Sequence, residues 1–228
     1  MAAKKNILIV GANRGIGFNL VKAFLKESWD VTSTVRPQTL AALDRSVDDL
    51  YKTSARVLQL DYLDENTIEE AAAAWGDKPL HLLIKVAGLP PHPKPWNEQT
   101  ADLLVERFRV MTVGPLLTIN YFLPMLEKTA ESKVVNLSSE NFGKFMAYRV
   151  AKAALNQGMV TMAREWENEG RNVTMICVEP GFVATRLTKW TGDDDMYTCV
   201  AVMVKLFQGL TREDHGGFFK WDGTRFPF

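Results

Sequence analysis

The sequence is poor in the residues that build disulfide frameworks and metal sites. It contains two cysteines, and its three histidines are scattered at positions 81, 92 and 215. No spacing typical of metal ligands results, so we predict no metal site. We expect Cys177 and Cys199 to be buried or idle thiols in a reducing compartment.

The sequence also lacks an excess of charge and a long hydrophobic run. Its 27 basic residues balance 27 acidic ones, which argues against nucleic acid or an anionic membrane as a partner and favours a small molecule. The first apolar run, Ile7 to Val10, ends at Gly11 and is far too short for a membrane span or a signal-peptide core. We therefore expect a soluble, cytoplasmic protein.

Strand-like and helix-like segments alternate along most of the chain. This alternation, with 46% hydrophobic residues, predicts one domain over residues 1–228. The predicted fold class is α/β, a Rossmann-type doubly wound parallel sheet with helices on both faces. The predicted strands are 7–10, 31–35, 56–60, 80–86, 133–137, 173–178 and 218–221. The predicted helices are 15–26, one from about 64, 98–128 with a kink at Gly114-Pro115, and 145–169, with loops at 89–96 and 181–197.

A glycine-rich turn follows the first predicted strand directly and opens a helix. It reads Gly11-Ala12-Asn13-Arg14-Gly15-Ile16-Gly17. Glycines permit a tight turn and let a pyrophosphate approach backbone N–H groups at the positive end of the helix. At the first βα junction this pattern favours a dinucleotide site over a merely structural turn.

Tyr148 and Lys152 are four residues apart in a predicted helix and therefore share one face. Ser138 and Ser139 close an apolar run shortly before them. Because a neighbouring positive charge favours the phenolate, we expect the pKa of Tyr148 to lie below its usual value. Such a phenol can donate and recover a proton near neutral pH.

The order of these motifs resembles the short-chain dehydrogenase/reductase family over the whole chain. The ending 217–223, followed by Phe226-Pro227-Phe228, looks like the small sniffer-type and C-factor-like carbonyl reductases of that family. The resemblance implies that Ser139 holds the substrate oxygen and that Tyr148 donates a proton while the cofactor gives hydride. Lys152 is then expected to bind the nicotinamide ribose and lower the Tyr148 pKa. The residues that it implies for cofactor binding are Gly11, Asn13, Arg14, Gly15, Ile16, Gly17, Arg36, Asp61, Ala87, Gly88, Tyr148, Lys152, Pro180, Gly181, Val183 and Thr185.

Charge near the second strand predicts the choice of cofactor. Family members that use NAD usually end this strand with an acid, but here the position is Val35, followed by Arg36. Arg36 and Arg14 can make charge-assisted hydrogen bonds to a 2′-phosphate, each worth roughly 1.5–3 kcal/mol. NADP(H) is the predicted cofactor.

The sequence departs from the family pattern in three places. Met111 replaces the family's helix asparagine, whose neighbourhood holds a water that relays protons. Lys85 and Val86 replace two asparagines of the fourth strand, and we expect Lys85 to extend to solvent. The segment 140–147 between Ser139 and Tyr148 is short, which predicts an open site.

We predict an NADPH-dependent reductase of a carbonyl on a fairly large apolar or aromatic small molecule. Two alternatives stay open: a scaffold repurposed for non-redox isomerisation or cyclisation, and a non-catalytic NADP-sensing interaction protein. Aromatic residues expected to line the pocket are Trp96, Phe142, Phe145, Phe182, Trp190 and Tyr197. By resemblance we expect a homodimer or homotetramer, with Phe122, Met125, Met159 and Met162 as candidate contacts.

Overall fold

The structure is a computed structural model that describes residues 4–140 and 144–227. Phe142 and Phe228 lie outside these ranges. The strands are β1 (Asn6–Val10), β2 (Asp30–Val35), β3 (Arg56–Gln59), β4 (Leu82–Lys85), β5 (Ser132–Leu137), β6 (Val173–Glu179), β7 (Phe218–Lys220) and β8 (Arg225–Phe226). The helices are α1 (Gly15–Lys26), α2 (Pro37–Ala41), α3 (Arg45–Tyr51), α4 (Glu65–Trp75), α5 (Ala101–Phe108), α6 (Gly114–Leu126), α7 (Met146–Asn168) and α8 (Met196–Gly209).

Within the described ranges the eight strands form one sheet in the order β3-β2-β1-β4-β5-β6-β7-β8. The first seven strands are parallel, and β8 pairs antiparallel to β7. Alternate residues of each strand face two hydrophobic cores. Ile7 and Ile9 face the core formed with α1, α3 and α8, whereas Leu8 and Val10 face the core formed with α4, α6 and α7. Because helices cover both faces, the central strands are almost continuously apolar. The predicted fold class is confirmed.

The strand order reverses between β1 and β4. In open parallel sheets, ligands bind in the crevice at the carboxyl ends of the strands where such a reversal occurs. The chain leaves β1 at Gly11 and β4 at Val86. The topology therefore brings the glycine-rich turn and Ala87-Gly88 to one edge of the sheet.

The long predicted helix 98–128 is divided in the structure. Its first part, α5, begins at Ala101, where the Thr100 hydroxyl caps the helix by accepting from the Leu103 N–H at 3.3 Å. A π-helical turn, Arg109–Val113, joins α5 to α6 immediately before Gly114-Pro115. Since Pro115 has no N–H, the helical hydrogen bonding cannot continue regularly there, and the wider turn accommodates the break.

Two kinds of site are absent from the described residues. Of the helices in residues 4–140 and 144–227, none combines the length and the apolar character that crossing a membrane requires. In the same ranges no group of three or more histidine, cysteine, aspartate or glutamate side chains could hold a metal ion. Cys177 and Cys199 are both buried and free of disulfide bonds.

Candidate active site

The glycine-rich turn packs against the chain that leaves β4. A Cβ atom on Gly11 would lie 2.6 Å from Cβ of Ala87, and Gly11 has a φ of +82°. A Cβ atom on Gly17 would lie 2.5 Å from the carbonyl oxygen of Gly11. Side chains are therefore excluded at both positions. This close packing brings Gly11, Gly17 and Ala87 together as predicted, with Gly88 next to them.

The amino end of α1 has the properties of an anion site. Arg14 is the N-cap residue, but its side chain makes no capping hydrogen bond, and the first turn carries no acidic residue. The N–H groups of this turn and the positive end of the helix can therefore receive a pyrophosphate. Asn13 lies beside this turn and donates from Nδ2 to the Ser46 hydroxyl at 2.7 Å, and Ile16 packs on the α1 side of the sheet.

The loop after β6 covers the glycine-rich turn. A Cβ atom on Gly15 would lie 3.5 Å from Cγ2 of Thr185. Gly181, which follows Pro180, has a φ of +89°, and Val183 and Thr185 are buried. Two hydrogen bonds between Phe182 and Asp194 close this loop on itself. Thr185 thus lies beside the glycine-rich turn.

A cluster of charges lies at the edge of this crevice. Nη1 of Arg14 lies 3.9 Å from Oδ2 of Asp44, and Nη1 of Arg186 donates to the same oxygen at 3.4 Å. Partial burial and the positive charge of Arg186, with a smaller effect from Arg36, lower the pKa of Arg14. The guanidinium groups of Arg14 and Arg186 therefore share one carboxylate.

Two members of this cluster, Asp44 and Arg186, were not predicted from the sequence. The end of β2 carries no acid, as predicted, but Asp44 comes from the segment between α2 and α3. Arg186 directly follows the Thr185 loop, which is the one sequence signal that could have indicated it.

Asp61 is two residues beyond β3 and is buried. Its Oδ1 accepts from the Leu63 N–H at 3.0 Å, and its Oδ2 accepts from Nε2 of Gln38 at 2.8 Å. These bonds hold the carboxylate at the carboxyl edge of the sheet, beside the predicted adenosine end of the crevice.

The structure brings Ser139, Tyr148 and Lys152 together. Ser139 follows β5, whereas Tyr148 and Lys152 lie on α7. Nζ of Lys152 donates to the Leu137 carbonyl at 2.7 Å and lies 5.9 Å from the centroid of the Tyr148 ring. The Ser139 hydroxyl lies close enough to Tyr148 to lower the pKa of the phenol. A substrate oxygen next to this group would meet two hydroxyl donors.

The pKa of Tyr148 is shifted upward, so the predicted downward shift is wrong. Burial is the largest cause and disfavours the charged phenolate. The positive charge of Arg149 and the hydrogen bond with Ser139 lower the pKa, and the charge of Glu179 raises it. Burial also lowers the pKa of Lys152 to about 8. Lys152 therefore stays mainly protonated at neutral pH but loses its charge in mildly alkaline solution.

Two charged neighbours of Tyr148 were not predicted from the sequence. Arg149 donates from Nη1 to the Ser139 hydroxyl at 2.6 Å and to the carbonyl oxygen of Glu140. Glu179 ends β6, and burial raises the pKa of its carboxyl group, which accepts from the Gly181 N–H at 3.1 Å. Only its position directly after Tyr148 in the sequence could have indicated a role for Arg149.

Lys85 does not extend to solvent, so that expectation is wrong. It is 2% exposed, and its Nζ donates to the carbonyl of Pro115 at 3.2 Å. Burial lowers the pKa of this amine well below its usual value. Strand register places Lys85 next to Asn136 and Asn136 next to Cys177, so these three buried residues form one row across the sheet.

Met111 is fully buried in the π-helical turn and belongs to the apolar core. The neighbouring Thr112 donates from its hydroxyl to the carbonyl of Ala151, the residue before Lys152, at 2.7 Å. The turn is thus tied to α7 although the family asparagine is missing.

The described aromatic residues predicted for the pocket are all exposed. This set comprises Trp96, Phe145, Phe182, Trp190 and Tyr197. These side chains lie in loops or at the start of α7 or α8, where a ligand can contact them.

Sequence comparison identifies the family. The family described as short chain dehydrogenase matches residues 5–195. The chain belongs to the short-chain dehydrogenase family. This result agrees with the glycine-rich turn, the Tyr148–Lys152 pair and the parallel sheet described above.

Individual relatives are distant but span the whole chain. The short-chain dehydrogenase srdF of Neurospora crassa is 28% identical over 97% of this chain and 97% of its own length. The 1-hydroxy-2-glutathionyl-2-methyl-3-butene dehydrogenase of a Rhodococcus species is 28% identical over 96% of this chain and 97% of its own.

Solved structures share the fold closely. The NADPH-bound carbonyl reductase from chicken fatty liver has a TM-score of 0.89 and 25% identity, with all of both chains covered. The carbonyl reductase Sniffer of D. melanogaster has a TM-score of 0.88 and 25% identity over 99% of this chain and 100% of its own.

Proposed function

We propose that this protein is an NADPH-dependent reductase of the carbonyl group of a fairly large apolar or aromatic small molecule. The observation that carries the proposal is the convergence of Ser139, Tyr148 and Lys152 at the carboxyl end of β5, on the same edge of the sheet as the glycine-rich turn. Similarity to solved carbonyl reductases, one of them bound to NADPH, supports the same activity. The exposed aromatic loop residues support the apolar character of the substrate.

The crevice has features that fit NADPH. Packing leaves no room for side chains at Gly11 and Gly17, so backbone N–H groups can approach a pyrophosphate closely. Arg14 and Arg36 are the residues that we assign to the 2′-phosphate, and Arg186 lies in the same charge cluster. NADPH supplies the hydride when it is bound.

The chain's own residues perform the acid–base part of the reaction. Ser139 holds the carbonyl oxygen of the substrate by a hydrogen bond, and Tyr148 donates its proton to that oxygen. Both hydroxyls face the negative charge that develops there, which combines electrostatic stabilisation with general-acid catalysis. The ammonium group of Lys152 stabilises the phenolate that remains.

A panel of aldehydes and ketones tests this proposal. We expect NADPH oxidation that depends on the carbonyl compound, and a loss of roughly 10²–10⁴-fold in kcat for Tyr148→Phe. Tyr51→Phe removes an exposed hydroxyl on α3 and serves as the matched control. Failure of every carbonyl class, or full activity in Tyr148→Phe, contradicts the proposal.

Location in the cytoplasm remains a prediction from the sequence, since a reducing compartment suits two free cysteines.

A further inference from the structure

We propose that Arg149 is a positioning residue of this site, which orients the Ser139 hydroxyl and supplies a permanent positive charge beside Tyr148. The inference rests on the proposed function for its catalytic meaning. Its structural basis is a set of contacts between α7 and the end of β5.

The first contact fixes the serine. Arg149 donates from Nη1 to Oγ of Ser139 at 2.6 Å and to the carbonyl of Glu140. Because a guanidinium can only donate, the serine oxygen must accept in this bond, and the serine proton is directed to another group. A charged donor also polarises the hydroxyl and makes it a better donor itself. Arg149 therefore prepares Ser139 to donate to a substrate oxygen.

The second contact concerns charge. Cζ of Arg149 lies 5.8 Å from the centroid of the Tyr148 ring, and Nζ of Lys152 lies 5.9 Å from it. The ionisable groups that shift the pKa of Tyr148 are Arg149 from α7 and Glu179 from β6. Lys152 and the Ser139 hydroxyl also lie beside the ring.

The two cations are of different chemical types. Lys152 has a pKa of about 8 and loses its charge as pH rises. An arginine keeps its charge over the whole working range. Arg149 therefore stabilises the Tyr148 phenolate at a pH where Lys152 has become neutral.

The titration of Tyr148 tests the inference without any turnover. The tyrosinate absorbance of each protein is followed against pH, and the same protein carrying Tyr148→Phe is subtracted. We expect Arg149→Met to raise the midpoint of Tyr148 by roughly one pH unit, the lower end of the effect of an adjacent charge. Arg149→Gln should raise it equally, because glutamine can donate to Ser139 but carries no charge. Arg149→Lys should return the midpoint most of the way to the wild-type value.

Arg164→Met is the matched control, since it removes an exposed arginine from the same helix. Circular dichroism at each pH verifies that the variants remain folded. An unchanged midpoint in both folded variants that lack the charge overturns the inference. The titration needs no carbonyl substrate, so a protein that reduces no carbonyl contradicts the proposed function and leaves this test valid.

In active protein, Arg149→Met should lower kcat and move the alkaline limb of the kcat profile to higher pH. The direction follows because Tyr148 must be protonated to donate, and loss of the positive charge makes it harder to deprotonate. A structural defect alone would lower kcat without moving that limb.

Discussion

Asp44 places a negative charge among the arginines of the cofactor crevice. It interacts with Arg14 and Arg186, two cations beside the position expected for a 2′-phosphate. A bound phosphate must compete with this carboxylate for the same guanidinium groups. We therefore expect Asp44 to weaken the binding of the 2′-phosphate.

Removing a positive charge from this cluster should weaken NADPH binding, whereas removing the negative charge of Asp44 should strengthen it. Arg36→Ala should weaken NADPH binding by roughly 1–3 kcal/mol and leave NADH binding almost unchanged, since a charged hydrogen bond is lost.

Asp44→Asn should strengthen NADPH binding about threefold to tenfold, the size expected for a partly exposed ion pair. Asparagine can still cap α3, where Asp44 accepts from the Ser46 N–H.

Fluorescence titration with both cofactors measures these changes, and Asp48→Asn on the same helix is the control. Equal weakening of NADPH and NADH by Arg36→Ala would assign Arg36 a structural part. Weaker NADPH binding in Asp44→Asn would show that this carboxylate orders the arginines instead of competing for them.

The row formed by Lys85, Asn136 and Cys177 is the least expected feature at the scale of secondary structure. Lys85 lies in the middle of the sheet, and its buried amine has a pKa well below 10.5. An ionised amine at this position would destabilise the folded state, because the charge is removed from water. As pH rises from the lowered pKa of the folded state towards 10.5, the unfolded state holds the extra proton, so stability increases with pH.

We expect Lys85→Met to remove this dependence. At neutral pH the variant should be more stable by about 1–3 kcal/mol, the usual size of relieving a buried polar group, and the difference should shrink as pH rises. Chemical denaturation at a series of pH values measures both free energies. Lys152 is present in both proteins, so its contribution to the pH dependence of stability cancels in the comparison. A stability difference that grows with pH would contradict this account.

Periodicity predicted most of the long or buried elements. The seven parallel strands and the helices α1, α4 and α7 were predicted within a few residues, because apolar patterning and the glycine-rich turn mark them clearly. The short elements α2, α3 and β8 were missed, since two to seven residues carry too little periodicity, and the 14-residue helix α8 was also missed. The π-helical turn was predicted only as a kink.

The sequence could not predict contacts that depend on distant segments. Arg149 meets Ser139 across ten positions, and Asp44 meets Arg186 across 142. The burial of Lys85 was missed for a related reason: the strand pattern does not show that α6 offers it a carbonyl. The glycine-rich turn and the spacing of Tyr148 and Lys152 could be read from local geometry, whereas Ser139, Asp61 and the loop after β6 were predicted from the resemblance to the family.

At the scale of the whole molecule, two of the residues predicted to contact a second copy, Phe122 and Met159, are wrong. Phe122 and Met159 are buried in the core of the chain itself and cannot reach a second copy. The exposed apolar side chains on α5 and α7 are instead Val105, Phe108, Met146 and Val150. We therefore still propose a homodimer or homotetramer, with these four residues in the interface.

Light scattering at micromolar concentration should find a dimer or a tetramer for the wild type. Phe108→Asp should shift it towards monomer, because a charge would be buried between copies. Leu43→Asp changes another exposed apolar residue, outside α5 and α7, and should leave the assembly intact. A monomeric wild type, or an assembly that tolerates Phe108→Asp, would contradict this interface.

The central claim is that this protein transfers a hydride to a carbonyl carbon while Tyr148 gives the proton. NADPH deuterated at the transferable position tests it most directly, with mass spectrometry of the product. We predict an alcohol with one deuterium on the former carbonyl carbon, formed together with one NADP⁺ and lost in Tyr148→Phe. Turnover that needs Tyr148 but leaves the cofactor reduced and the product free of deuterium would contradict a reductase and identify a non-redox enzyme.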